Sequence, residues 1–274
     1  MKADLHIHTN CSDGVFSPEE IVLKAKTAGL KIIAITDHDT VDGLLKLSGK
    51  MQLGEEIEVI PGIEFSTDLP ANEVHILGYY IDILHPELNH QLRFIAQDRE
   101  KRVQKMVAKL CELGYQIKYE RVLKLAQNAT SVGRPHVAAA LIEAGYFFSM
   151  ADVFNTLLGK NMPAYVPHYK MTPAETISLI TSAGGIPVLA HPGLIGDDDI
   201  VLNILKLGIQ GIEVYHPSHD QVKVDQYLKL VQQNKLIATG GSDFHGFPGR
   251  IPECLGEFYV PEKLAQQLKK SIKV

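Results

Sequence analysis

The chain has little that would tie it to a membrane, an oxidising compartment or duplex nucleic acid. None of its apolar runs approaches the roughly 20 residues that span a bilayer, and no stretch of signal-peptide length precedes the first strand-like segment, so a cytoplasmic location is expected. Cysteine is scarce: Cys11, Cys111 and Cys254 are the only three in 274 residues. An odd number, far apart, excludes a disulfide framework and predicts a reduced interior. An excess of positive charge is also missing, with 27 Lys and Arg against 32 Asp and Glu and a net charge of -5. That balance argues against a broad basic face for gripping duplexes but leaves room for a nucleotide or a short oligonucleotide. There is no low-complexity tract, and no internal repeat beyond a strand–helix unit. What remains, 45% apolar and 22% charged, has the composition of a soluble globular protein long enough for one large core or two modest ones.

Against that plain background one stretch stands out, Asp4-Leu-His-Ile-His8 followed by Ser12-Asp-Gly14. Side chains two apart on a strand share a face, so His6 and His8 project together from the strand's end and Asp13 returns on the following loop. Alone, a His-x-His pair is more often two ordinary strand residues than a chelating site. The pattern recurs, however, past other apolar strand-like runs. Asp37 and His38 follow Lys31–Thr36, Glu64 follows Val59–Ile63, and His75 sits inside Glu73–Leu77. His191 follows Ile186–Ala190, Glu213 and His216 surround Gly211–Tyr215, and Asp243 and His245 follow Leu236–Ser242, making seven strand ends in all.

Ser17-Pro-Glu-Glu20 and Thr172-Pro-Ala-Glu175 are both capping-box entries into helices that stop at glycine, Gly29 and Gly184-Gly185, and both lead into an apolar strand carrying ligand-type residues. This alternation predicts an α/β fold with parallel pairing, a barrel whose loops at the strands' carboxyl ends converge on one face, so that His6 and His245 can share a cluster. Between 85 and 165 the alternation breaks. Leu92, Ile95, Val103, Met106, Val107, Leu110 and Leu113 form a helical stripe, the charged run Asp98–Arg102 is expected on its wet face, and helical patterns follow at Tyr119–Ala126, Arg134–Ala144 and Met150–Leu158. The expected organisation is a discontinuous barrel domain, 1–84 with 166–274, and a helical insertion domain, 85–165, covering the active-site face.

Taken together, the opening motif, Ile35-Thr-Asp-His-Asp39, Gly62-Ile-Glu64, Val74-His-Ile-Leu77, Ala190-His-Pro192 and Gly241-Ser-Asp-Phe-His245 resemble the PHP-domain phosphoesterases, the polymerase and histidinol phosphatase superfamily. The resemblance spans the whole chain. Within the superfamily, the insertion bearing Gly133-Arg-Pro-His136 is most similar to stand-alone phosphatases of 3',5'-nucleoside bisphosphates and exoribonucleases acting on short RNA 5' ends.

The resemblance implies a distorted (β/α)7 barrel and two or three divalent ions. His6, His8, Glu64 and Asp243 would hold one ion. Glu64 would bridge to a second with His75 and His191, and Asp13, His38 and His245 would hold the third. Mixed imidazole and carboxylate donors without thiolates suit Mn, Fe or Zn in a catalytic site better than a closed structural zinc. Three carboxylates and six neutral imidazoles leave much of the ions' charge for hydroxide and phosphate oxygens. Nothing suggests a nucleophilic Ser or Cys. The expected reaction is attack of a metal-bridging hydroxide on a phosphate monoester of a small nucleotide, AMP- or pAp-like, or on a short RNA 5' end. Histidinol-phosphate phosphatase and a non-catalytic partner module are the alternatives.

Further residues fall outside the metal-ligand set. Arg134 and His136 are expected to grip substrate phosphate, Arg134 through its bidentate fork, with helix capping as the plainer role. Arg134, Glu64, Asp243 and His219 make up the expected catalytic set, in which His219, ahead of His216, donates a proton to the leaving alkoxide. Asp37 and Asp39 either orient His38 or cap the next segment. Cys11 reads as a small loop residue, Arg250 as a minor substrate contact, and His85, His90 and His168 as surface or linker residues. One departure from several nucleotide-specific relatives is Leu194, where they carry arginine after His-Pro-Gly; it weakens the case for a 3'-phosphate preference.

Overall fold

The computed structural model describes residues 1–48, 57–68, 73–126, 129–167 and 169–272. His168 lies outside them. The chain order is β1 (Lys2–Ile7), α1 (Pro18–Thr27), β2 (Leu30–Ile35), α2 (Asp42–Ser48), β3 (Glu58–Asp68), β4 (Glu73–Tyr79) and the long α3 (Pro86–Glu112). Four more helices follow, α4 (Tyr119–Leu125), α5 (Arg134–Glu143), α6 (Met150–Val153), which runs on into a π-helical turn at Phe154–Leu158, and α7 (Pro173–Ser182). The alternation then resumes with β5 (Ile186–Leu189), α8 (Asp198–Leu205), β6 (Gly211–Tyr215), α9 (Gln221–Asn234), β7 (Ile237–Gly240), β8 (Val260–Pro261) and α10 (Glu262–Lys270).

Local chemistry sets the helix entries. Ser17 caps α1 while the Glu20 carboxylate accepts from the Ser17 N–H, and Thr172 with Glu175 repeats the arrangement at α7. Gly29 and Gly184, at φ +75° and +77°, end the two helices in the left-handed region that glycine enters without steric cost. Ile21 and Val22 of α1 then share one apolar core with Ile33 and Ile35 of β2 and with Ile177 and Ile180 of α7.

The strands form one sheet in the order β7-β6-β5-β4-β3-β2-β1-β8, curled into a nearly closed barrel. At the seam, the His8 N–H donates to the Phe244 carbonyl at 2.9 Å, and the Ser242 N–H donates to Asp4 Oδ1 at 2.9 Å. β8 pairs with the start of β1. The parallel expectation fails at two places: the short β8 runs antiparallel to β1, and β4 runs antiparallel to both β3 and β5. This second reversal places the beginning of β4 at the carboxyl ends of its neighbours. His75 therefore reaches the site from the start of its strand. Glu64 likewise lies within β3, which continues to Asp68.

Helix α3 joins two cores. Its first half, with Leu88, Leu92 and Ile95, packs into the barrel's apolar cluster, whereas Val103, Met106 and Leu110 belong to a second cluster with Val122, Val137, Leu141 and Val153. Leu113 ends the helix 47% exposed and is not part of the stripe's buried face. The charged run is not wholly a wet face either, because Arg99 and Arg102 are buried. Arg99 lies four residues after Ile95 and Arg102 four before Met106, so they continue the apolar stripe's own phase. Among the described residues no helix is long and apolar enough to cross a membrane.

The seam has no room for a side chain at Gly241, where an added Cβ would collide with the backbone and Cβ of His6. Gly241→Ala is expected to destabilise the protein by roughly 1–3 kcal/mol in urea unfolding, as overpacking does, and to weaken metal binding by displacing His6.

Candidate metal centre

His6 and His8 are both buried, as the alternation of β1 requires, and their Nε2 atoms lie 3.1 Å apart. Glu64 Oε2 is 3.2 Å from each of these nitrogens, and Asp243 Oδ1 is 3.1 Å from that of His8 and 3.5 Å from that of His6. On its other oxygen, Glu64 meets His75 Nδ1 at 2.8 Å and His191 Nε2 at 2.9 Å. Beyond the opposite edge of the His8 ring, Asp13 Oδ1 is 3.2 Å from His245 Nε2, and Asp13 Oδ2 is 4.0 Å from His38 Nε2. The three groups whose ligand atoms converge are His6–His8–Glu64–Asp243, His8–Asp13–His38–His245 and His38–Glu64–His75. His8 thus faces two groups through its two nitrogens, and His38 closes on Glu64 as well as on Asp13. His191 joins through Glu64 alone.

The donors fit divalent cations. Glu64 Oε2, His8 Nδ1 and His38 Nδ1 are buried and have no hydrogen-bond partner, a costly condition for polar atoms; Glu64 Oε2 lies 3.1 Å from His38 Nδ1, and His8 Nδ1 lies 3.7 Å from Asp13 Oδ1. Bonds of about 2.0–2.2 Å in a tetrahedral array separate donor atoms by about 3.4 Å, close to the spacing of the first group. Burial works against charge on His8, yet hydrogen bonds and charge from Asp243 and Glu64 push its pKa up to about 9. Burial likewise opposes ionisation of Glu64, but the imidazoles of His38, His6 and His75 hold its carboxyl well below the usual range. Burial pushes the imidazoles of His38 and His245 below their usual range.

A second layer fixes these rings. Glu213 Oε1 is 3.0 Å from His6 Nδ1, which leaves His6 Nε2 for the cluster, and Glu213 Oε2 accepts the His191 N–H at 2.8 Å. His191 itself sits at φ +26°, a strained position for a residue with a side chain. The His245 Nδ1 donor is satisfied by the Asp243 carbonyl at 2.8 Å. Asp37 neither touches His38 nor caps a helix: it accepts from the Thr9 N–H at 2.7 Å and from the Thr9 and Ser12 hydroxyls at 2.6 Å each, holding the turn that carries Asp13. Asp39 accepts from Arg99 and from the Ser66 N–H, and so anchors α3. Cys11 is buried, and its Sγ lies 3.0 Å from the Lys46 amine.

Above the ligand atoms lies a cleft of about 270 Å³ whose walls include Arg99, Arg102, Arg134, Lys170 and Arg250. Arg134, at the start of α5, stands 5.5 Å from the Phe154 ring centroid and 5.9 Å from that of Tyr165. Arg250 binds Asp243 Oδ2 at 2.7 Å. Leu194 lines the same cleft, 60% exposed. Arg99, Arg102 and Lys170 were not expected there, although the phase of the α3 stripe pointed to the first two.

His136 and His219 are not among the residues that line this cleft, so the structure does not bring them to the phosphate position that the sequence suggests. His136 Nδ1 accepts the Gly133 N–H at 3.2 Å, and its ring also hydrogen-bonds the Ser12 backbone, so it ties α5 to the Asp13 loop. His219 lies with Nδ1 2.9 Å from the Val214 carbonyl, while Nε2 accepts the Gly193 N–H at 3.1 Å. That pairing makes Nε2 an acceptor and leaves no proton to give a leaving group. His216 is nearer the centre, with Nε2 3.8 Å from Asp243 Oδ2. His85 caps α3 through Nδ1, and His90 faces a separate surface hollow with Tyr169. Because Glu213 sets the tautomer of His6, Glu213→Gln is expected to weaken metal binding by about 10- to 100-fold in titrations of the metal-free protein, with no loss of fold by circular dichroism.

Comparison with known proteins agrees with this geometry. The PHP domain family profile matches residues 4–136. The chain is 32% identical over 266 residues to a phosphoribosyl 1,2-cyclic phosphate 1,2-diphosphodiesterase of Eggerthella lenta, covering 95% of this chain and 100% of the relative. It is 32% identical to a 3',5'-nucleoside bisphosphate phosphatase of Chromobacterium violaceum, over 90% of this chain and 87% of that protein. It is 35% identical to the 5'-3' exoribonuclease Rnm of Salmonella typhimurium, over 88% and 84%. Among solved structures, a provisionally assigned metal-dependent phosphoesterase from Bifidobacterium adolescentis superposes with a TM-score of 0.88 at 28% identity, over 97% of this chain and 94% of that one. Shared sequence along nearly the whole chain, a shared barrel and converging metal-ligand groups lead to one assignment: the chain belongs to the PHP-domain family and is a metal-dependent phosphoesterase.

Proposed function

We propose that the protein hydrolyses phosphate monoesters of small nucleotides, AMP- or pAp-like, with the 5' ends of short RNA as the extended class. The observation that carries this reading is the cationic cleft: three arginines of the helical segment, Lys170 and Arg250 stand around a floor of metal-ligand groups. Names of relatives that act on nucleoside bisphosphate and RNA support it. A histidinol phosphate would bring a cationic amine against the same arginines, which speaks against that substrate.

We assign one divalent ion to His6, His8, Glu64 and Asp243, a second to Glu64, His75 and His191, and a third to Asp13, His38 and His245, with Mn, Fe or Zn as the suited ions. Such ions supply a hydroxide nucleophile at neutral pH and neutralise charge on the phosphoryl oxygens. The chain's own residues do the rest. Arg134 and its neighbours bind and orient the phosphate, and Asp39 keeps Arg99 in position through a buried ion pair. In this reading 85–165 is the helical insertion domain over the active-site face, and 1–84 with 166–274 the barrel domain. The separate apolar cluster of the helices supports that division, with α3 shared between the two. Free cysteines support a cytoplasmic location.

A hydrolysis screen of AMP, pAp, a short 5'-phosphorylated RNA, histidinol phosphate and a phosphoribosyl cyclic phosphate tests the substrate class. Mn-loaded protein is expected to favour the nucleotides and to lose activity on chelation; a preference for histidinol phosphate or for the base-free cyclic ester would overturn the reading. Asp243→Ala should lose bound metal and turnover together, measured by elemental analysis and phosphate release. Arg134→Ala is expected chiefly to raise KM, by about tenfold, as loss of binding shared by ground and transition states does. Unchanged kinetics would return Arg134 to a purely structural role.

A further inference from the structure

Behind Asp13 and Pro135 lies a second cavity, of about 300 Å³, between α4, α5 and the loops after β1 and β7. Those two residues line both cavities, so the second shares a wall with the cationic cleft. The two differ sharply in chemistry. Where the first carries five arginines and lysines, the second is lined by none, and Val15, Leu125, Ala139 and Phe247 give it apolar walls. Asn10 adds a carboxamide, with donor and acceptor on one edge. His136 also faces it, but its Nδ1 is taken up by Gly133 and its ring by the Ser12 backbone, so it serves as wall.

We infer that this cavity is a nucleobase lobe, which takes the base of a nucleotide whose phosphate lies over the metal-ligand groups. The inference rests on the nucleotide reading above and extends it to the part of the substrate that does not react. A base presents two apolar π-faces and a hydrogen-bonding edge. Phe247 supplies an aromatic ring for stacking, the alanines and leucine displace water from the faces, and Asn10 meets the edge. Stacking against one ring, with a single amide at the edge, selects for a base without reading its identity closely. Purines should therefore exceed pyrimidines by a few-fold through contact area alone. A base-free ribose phosphate fills only the cationic cleft and leaves the lobe to water.

The test compares kcat/KM for AMP and for ribose 5-phosphate with the full-length, Mn-loaded protein. The wild type is expected to favour AMP. Phe247→Ala should lower the AMP to ribose 5-phosphate ratio about tenfold. Ala139→Phe, which fills the lobe without removing a polar group, should lower it likewise. Adenosine binding followed by calorimetry should be lost in Ala139→Phe and retained in the wild type. An unchanged ratio in both folded variants, or wild-type protein that neither prefers AMP nor binds adenosine, overturns the lobe. Wild-type protein that hydrolyses ribose 5-phosphate and AMP equally refutes the lobe alone, whereas protein that hydrolyses neither refutes the nucleotide reading itself.

Discussion

The buried carboxylate of Glu64 is the point on which the structure turns. It is wholly shielded from solvent, and its two oxygens face the rings of His6, His8, His38, His75 and His191, which come from β1, β4 and the loops after β1, β2 and β5. An ionised carboxylate without partners in such a place would cost several kcal/mol. Each strand must therefore deliver its imidazole in register, and the barrel can close only in the arrangement that does so. Fold and site are one constraint here, because slipping a strand by one residue would turn its ligand to the opposite face.

That coupling explains how much of the site is legible in the sequence. Ligand types after apolar runs were visible because parallel strands end on a common face, and the capping boxes at Ser17 and Thr172 marked the helices that separate them. His75 sat less comfortably in the pattern, inside its run and not after it. The reason is the reversed direction of β4, which no local feature of Glu73–Tyr79 announces. Glu213 stands near a strand end, where nothing local announces its task. Its work is to hold a ring already assigned, and such a partner is defined by distance across the barrel, here 207 positions in sequence from His6.

Arg99 and Arg102 were hidden by a more instructive confusion. Charge on a helix usually means solvent, and Asp98–Arg102 looked like the wet side of α3. Three of its five residues do stay clear of the core, but the two arginines share the stripe's phase and face a polar cleft where the apolar stripe passes from one core to the other. A basic residue on the apolar phase of an amphipathic helix is a sign of a charged cavity beneath it. His219 misled in the opposite way: an isolated histidine beyond a strand end suggested proton transfer, whereas its two nitrogens are consumed by main-chain groups of Val214 and Gly193.

Helix α3 is also a mechanical element. Its 27 residues extend about 40 Å, with the first turns seated in the barrel core and the last in the helical core. The two cores are thus threaded on one rod, and the cleft lies beside its middle. Excising the helices between α3 and α7 would strip the rod of half its packing, and transplanting them to another barrel would require carrying the rod along. The helical segment is in this sense not modular: its loops can be elaborated, but it can be exchanged as a whole only by rebuilding the barrel face on which α3 rests.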